Sequence, residues 1–281
     1  MKAILFAWLQ YLLPQHTLSR LVGKIARCRI GWLKDALILW FARCYQVDLT
    51  EAEIENPKAY PCLDAFFTRA LKPGARPLPQ DPEFIVCPAD GTISQLGSLT
   101  GEWLIQAKGR DYSAAALLGD AALAEPFVDG EFATIYLSPR DYHRVHMPYP
   151  GTLKEMLHIP GRLFSVSEST AEEVENLFAR NERVVCLFDT DLGPMAIVLV
   201  GALLVAGIET VWHGLVTPPS GRQIRRWHYD GMRLARGEEL GRFHLGSTVI
   251  LLFPPARLSW CAQAGQGIRL GQALGRKLPA G

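Results

Sequence analysis

Phe243-His244-Leu245-Gly246-Ser247-Thr248 runs without a break into Val249-Ile250-Leu251-Leu252-Phe253. A short apolar run of this length, entered through Gly-Ser, reads as a buried strand, with Gly supplying a bend and Ser a local hydrogen bond. Working outward, similar runs recur between Gly, Pro and Asp: Phe84 to Cys87, Phe132 to Leu137, Arg183 to Phe188, and Met195 to Ile208. The last is long and apolar, yet Gly201, Gly207 and its valines favour two strand segments over a membrane helix. Together these runs specify a compact, mainly antiparallel β core.

The segment ahead of that core has a different texture. Ala3-Ile4-Leu5-Phe6-Ala7-Trp8-Leu9 and Tyr11-Leu12-Leu13 end at Pro14. This stretch falls short of the roughly 20 apolar residues a bilayer span needs, and it lacks the small-residue cleavage site of a secretory signal. Leu18 to Tyr45 then combines Arg20, Lys24, Arg27, Arg29 and Lys34 with Trp32, Trp40 and several Leu and Ile, against one acidic residue, Asp35. Basic residues with Trp and Leu at near-helical spacing suit helices lying in a lipid headgroup layer, or ordinary helices packed on a core. Thr50 to Pro79 reads as helix followed by loop, around the apolar patch Phe66-Phe67. The fold class is therefore α+β, with N-terminal amphipathic helices (1–60) before a β-rich domain (61–281).

Composition narrows the function. The 281 residues are 49% hydrophobic and 20% charged, which is the balance of a globular protein. A formal net charge of +1 argues against bulk capture of nucleic acid. The six cysteines include no C-x-x-C pair and read as reduced, mostly packing thiols.

Three further segments carry groups that chemistry could use. Pro88-Ala89-Asp90-Gly91-Thr92 has the Asp-Gly pair of a tight turn. In Ser138-Pro139-Arg140-Asp141-Tyr142-His143-Arg144-Val145-His146-Met147-Pro148, the Ser, Pro and Asp stand at helix-start positions, and one helical turn would bring His143 near His146. No H-E-x-x-H pattern accompanies them, so acid–base chemistry fits the two histidines better than a metal, and no metal is expected. The third segment pairs Leu163-Phe164-Ser165-Val166 with Asn181-Glu182-Arg183-Val184.

From about Phe66 to Phe253, this order of segments resembles the phosphatidylserine decarboxylases of the bacterial, pyruvoyl-dependent type. The resemblance implies a proenzyme. Ser247 would attack the Gly246 carbonyl, assisted by His146 as base and Asp90 as its orienting carboxylate. Gly246, lacking a Cβ, would permit the distortion and close approach this requires. The chain would separate into 1–246 and 247–281, held as a heterodimer, with further dimerisation left open. Ser247 would become a pyruvoyl group, the covalent cofactor, which forms a Schiff base with phosphatidylserine and yields phosphatidylethanolamine. His143 is then expected to act during decarboxylation. The resemblance also implies peripheral attachment at the cytoplasmic face of the cell membrane. Arg225 and Arg226, in Arg222-Gln223-Ile224-Arg225-Arg226-Trp227, are candidate ligands for the lipid phosphate, as are Lys108 and Arg110.

Three other readings make distinct demands. A pyruvoyl decarboxylase of a soluble amino acid would have no need of the lipid-like N-terminus. A membrane-associated binding protein would keep an intact chain. A zinc hydrolase would use His143 and His146 as metal ligands.

Overall fold

The computed structural model describes residues 8–107, 109–217 and 223–279. Its centre is the strand Ser247–Phe253, all seven residues of which are buried. It lies between Gly193–Gly201 and Glu131–Leu137, with Ser247 opposite Gly201 on one side and Leu137 on the other. The sheet continues through Arg183–Thr190, Gly151–Ile159 and the edge strand Arg225–His228 in one direction. In the other it continues through Gly91–Ser98 to Gly267–Ile268.

Side chains alternate across a strand, so a strand buried on both faces must be apolar throughout. Here Val249, Leu251 and Phe253 pack with Ile93, Ile135 and Leu199 on one face. Ile250 and Leu252 pack with Phe132 and Val198 on the other. Each such side chain contributes about 1.5–3 kcal/mol by leaving water. Ser247 falls in register with Val249 and Leu251, on the face where Val145 and Met147 also pack.

A smaller sheet, in the order Gly214–Leu215, Gly207–Thr210, Glu239–His244 and Arg144–His146, abuts this one. The chain passes from the small sheet to the large one through Leu245 and Gly246. Both have left-handed backbones, with φ of +76° and +70°. A third small sheet joins Phe84–Val86, Ala273–Lys277 and Leu258–Trp260.

The histidine segment departs from the helical turn expected from its sequence. Residues 138–142 form a turn, and Arg144–His146 is a strand pairing with Glu239–His244. The Asp141 carboxylate accepts from the Ser138 amide at 2.7 Å, and the Asp141 amide donates to the Ser138 carbonyl at 2.8 Å. The capping signals therefore close a turn, and strand pairing takes Arg144, Val145 and His146. Between Thr50 and Pro79, regular structure is limited to a short 3-10 turn, Pro57–Ala59, and the helix Leu63–Phe67.

The helix Gln15–Ala26 turns Gln15, Ser19, Gly23 and Ala26 toward the protein, while Leu21 and Ile25 face outward. Gly23 is required for close approach, since a Cβ there would stand 2.8 Å from the Ala206 methyl. The next helix, Gly31–Tyr45, buries only Ile38 and Phe41. Polar contacts fasten this layer: the Gln10 and Gln15 side-chain oxygens accept from the Ser165 and Leu163 amides at 2.6 and 2.9 Å. An apolar cluster of Ala26, Ile38, Phe41, Phe66 and Phe67 reaches through to Leu245. Among the described residues, no helix is long and apolar enough to cross a membrane. All six cysteines are unbridged.

Candidate active site

Ser247 begins the central strand, is fully buried, and its hydroxyl has no hydrogen-bond partner. A buried hydroxyl left unpaired costs about 1–3 kcal/mol, which makes this position one that needs a reason. Gly246 supplies the conformation before it. A Cβ on Gly246 would meet only Val205, at 3.8 Å. The residue is thus required for its left-handed φ, and crowding plays no part.

His143 also has an unpaired buried atom. Its Nδ1 donates to the Asp141 carbonyl at 2.9 Å, and its Nε2 is buried without a partner. A carbonyl only accepts, so the proton sits on Nδ1 and the free lone pair on Nε2. The ring lies against Phe67 at 4.0 Å between centroids, and its carbonyl accepts from the Phe243 amide at 3.0 Å. Burial, opposed by the bond to Asp141 and reinforced by the nearby Arg69 charge, lowers its pKa to about 3. His143 is therefore a neutral base at neutral pH.

His146 has both nitrogens engaged. Nδ1 donates to the Gly237 carbonyl at 2.8 Å, which leaves Nε2 to accept from the Tyr142 hydroxyl at 3.1 Å. Its pKa is also lowered, chiefly by burial. The same burial raises the Tyr142 hydroxyl well above its ordinary value.

Asp90 stands near His146 through the backbone, because the His146 amide donates to the Pro88 carbonyl at 2.8 Å. Its carboxylate is held by the Arg76 guanidinium at 3.0 and 2.5 Å and by the Leu270 amide at 2.8 Å. Gly91 is fixed by packing, since a Cβ there would lie 2.2 Å from the Tyr136 carbonyl oxygen. Asp90, Arg76, Arg69, Asp141 and Tyr142 line a cleft of about 480 Å³.

Fold and hydrogen bonding thus bring the Asp90 and His146 segments side by side. They also set His143 and Ser247 in the interior with unsatisfied atoms. In this state of the chain, no hydrogen bond joins Asp90 to His146 or His146 to Ser247: His146 is occupied by Tyr142 and Gly237, and Asp90 by Arg76.

The candidate lipid contacts lie elsewhere. Arg225–His228 is the sheet edge, four strand spacings from Ser247–Phe253, or roughly 19 Å along the sheet. Arg226 pairs with Asp120 and Glu155, each at 2.9 Å. Arg110 pairs with Glu175 at 3.4 Å. Lys108 and Arg222 are outside the described residues.

Sequence reading missed Arg76, the partner of Asp90, and Tyr142 as the partner of His146. Nothing in the spacing of Arg76, in a proline-rich loop, marks it. Tyr142 stood inside a recognised segment, but its pairing with His146 depends on the strand that replaced the expected helix.

The chain belongs to the phosphatidylserine decarboxylase family. Residues 63–276 match the family model of that description, and residues 5–46 match a second model described as PSD. Two relatives illustrate the likeness. The phosphatidylserine decarboxylase proenzyme of Ectopseudomonas mendocina is 60% identical over 283 residues, covering 98% of this chain and 99% of that one. The proenzyme of that name from Pseudomonas putida is 58% identical over 288 residues, covering 100% of each. Family membership makes this chain a decarboxylase.

Proposed function

We propose that the chain cleaves itself between Gly246 and Ser247 and then decarboxylates phosphatidylserine to phosphatidylethanolamine. The observation that carries this reading is the buried, unpartnered Ser247 hydroxyl behind a left-handed Gly246, in a chain so similar to named proenzymes.

The first stage uses Ser247, His146 and Asp90, a nucleophile, a base and an orienting carboxylate. Ser247 Oγ adds to the Gly246 carbonyl, the Gly246–Ser247 C–N bond breaks, and the freed amine takes a proton. An ester now links the two residues. Loss of the Ser247 α-proton expels the ester as the Gly246 carboxylate, and hydrolysis of the dehydroalanine left behind releases ammonia and leaves a pyruvoyl group. His146 must first exchange its Tyr142 contact for the serine, since its Nε2 lone pair is already bonded.

The surroundings of Ser247 suit such a group. The hydroxyl oxygen leaves with the Gly246 carboxylate and makes no hydrogen bond, so its departure breaks none, while the ketone oxygen, taken from water, replaces the nitrogen on Cα. A pyruvoyl group supplies the ketone that captures the substrate amine and draws electrons as carbon dioxide leaves. His143 Nε2, neutral and unpaired, is the proton carrier for this stage. The two chains remain paired as a heterodimer.

Membrane attachment is supported by the outward faces of the N-terminal helices. Trp8, Trp32 and Trp40 are 68%, 75% and 58% exposed, beside Arg20, Lys24 and Arg29. This is the pattern of helices lying in a headgroup layer and supports peripheral membrane attachment, which this reading assigns to the cytoplasmic face. It separates this reading from a decarboxylase of soluble amino acids.

Intact-mass spectrometry of wild type beside Ser247→Ala is the test. Two fragments split at Gly246/Ser247, the smaller carrying a pyruvoyl terminus, are expected from wild type, and a single full-length chain from the variant. Decarboxylation of phosphatidylserine vesicles by an uncleaved wild type would defeat the mechanism.

A further inference from the structure

His244 stands three residues before Ser247 and is almost fully buried. Its Nδ1 lies 2.8 Å from Asp64 Oδ1, and its Nε2 lies 3.0 Å from Glu209 Oε2. Both ring nitrogens face carboxylate oxygens, so the ring bridges the two acids. Asp64 belongs to the helix Leu63–Phe67, and Arg27, just past the end of Gln15–Ala26, reaches it at 3.4 Å. Burial pushes the Asp64 carboxyl up, but His244 and Arg27 together outweigh it and hold it below the usual range. Glu209 sits on the neighbouring strand of the small sheet.

The next residue is seized by the same layer. Leu245 packs into the cluster of Ala26, Ile38, Phe41, Phe66 and Phe67, and does so with a left-handed backbone that a leucine rarely adopts. The His244 carbonyl accepts from the Ala206 amide at 2.5 Å. Beyond Gly246 the holding elements change, since Ser247 is gripped by the two neighbours of the central strand. The bond to be cut thus lies between two anchors, the helical layer with the small sheet on one side and the large sheet on the other.

Attack by Ser247 on the carbonyl before it closes a ring through its own Cβ, Cα and N. That ring forms only if the Gly246 carbonyl is turned toward Oγ, and Gly246 alone has no side chain to fix it. We infer that His244, clamped between Asp64 and Glu209, is a positioning residue for self-cleavage, and that it makes the N-terminal helical layer part of the processing site. The inference rests on the self-cleavage reading above.

The test tracks cleavage over time by mass spectrometry of freshly synthesised full-length chains: wild type, His244→Leu and His244→Lys. Lysine keeps a hydrogen-bond donor between the carboxylates, and leucine removes it. His244→Leu is expected to cleave at least about tenfold more slowly, since misplacing reacting groups by about 1 Å costs this much or more. His244→Lys is expected to recover most of the wild-type rate. Decarboxylation per cleaved molecule is expected to match wild type for both, a separation that general misfolding would not give. Cleavage of His244→Leu at the wild-type rate overturns the inference, and so does a His244→Lys as slow as the leucine variant. If circular dichroism shows that His244→Leu does not fold, Asp64→Asn and Glu209→Gln decide, each expected to slow cleavage and each overturning the clamp if it does not. An uncleaved wild type removes the self-cleavage reading itself, which a cleaving wild type with an indifferent His244 would leave standing.

Discussion

A methyl group added at Gly246 would meet only Val205, at 3.8 Å, whereas one added at Gly91 would drive into the Tyr136 carbonyl at 2.2 Å. The two glycines therefore fail differently. Gly246→Ala is expected to fold, at a cost of about 1–2 kcal/mol for a left-handed alanine, and to cleave slowly because the turn relaxes. Gly91→Ala is expected to lose soluble folded protein, which thermal melting and expression would report. The histidines give a pH signature. His143 keeps its proton off until about pH 3 when folded, whereas an unfolded histidine takes one up below about 6.5. Between those values the unfolded state binds more protons, so stability rises with pH across that window and levels off above it. Urea midpoints should fall from pH 7.5 to pH 4.5. His143→Asn, whose amide can still donate to the Asp141 carbonyl, should weaken that dependence without abolishing it, because His146 is shifted in the same direction.

Among the elements, the central strand is the least forgiving. Leu251 is wholly buried within it, and Leu251→Ala is expected to cost about 2–5 kcal/mol, seen as a fall in melting temperature of the uncleaved Ser247→Ala chain. This strand was legible because burial on both faces leaves no choice of residue: Val249 to Phe253 are all apolar. The division of Met195 to Ile208 was legible for a related reason, since Gly201 ends one strand and Gly207 begins the next. The histidine segment was not. Ser138, Pro139 and Asp141 carry the local signals of a helix start, and only pairing with Glu239–His244, a partner about a hundred positions away, makes a strand of Arg144–His146. The Asp64–His244–Glu209 contacts and the Arg76–Asp90 pair were equally hidden, because charged partners far apart in the chain leave no period to read. The candidate residues were more visible than their geometry. Asp90, His143, His146 and Ser247 stand in recognisable segments, but Arg76 and Leu270, which hold Asp90, and Gly237, which holds His146, come from outside them.

At the scale of the whole molecule, the helix Gln15–Ala26 inverts the usual arrangement. It buries glutamine, serine and glycine and presents leucine and isoleucine outward. Large apolar side chains gathered on an outer face call for a partner, and the adjacent arginines favour anionic lipid. Replacing Trp32 and Trp40 together by alanine is expected to abolish flotation with vesicles containing phosphatidylglycerol while leaving self-cleavage unchanged, because neither side chain belongs to the cluster around Leu245.

The strand that begins at Ser247 is hydrogen-bonded along both edges, and this changes what unfolding means before and after maturation. The precursor is one chain, so it can unfold and refold at any dilution. Under the proposed cleavage behind Ser247, the middle strand of the large sheet would belong to a separate short polypeptide. Nothing then releases it while the sheet stands, but a denatured molecule must find its missing strand by collision. Recovery becomes second order in protein, and dilution alone defeats it. On the proposed cleavage, the mature molecule would be a product of its own history, assembled once as a single thread and thereafter preserved by the slowness of its unfolding.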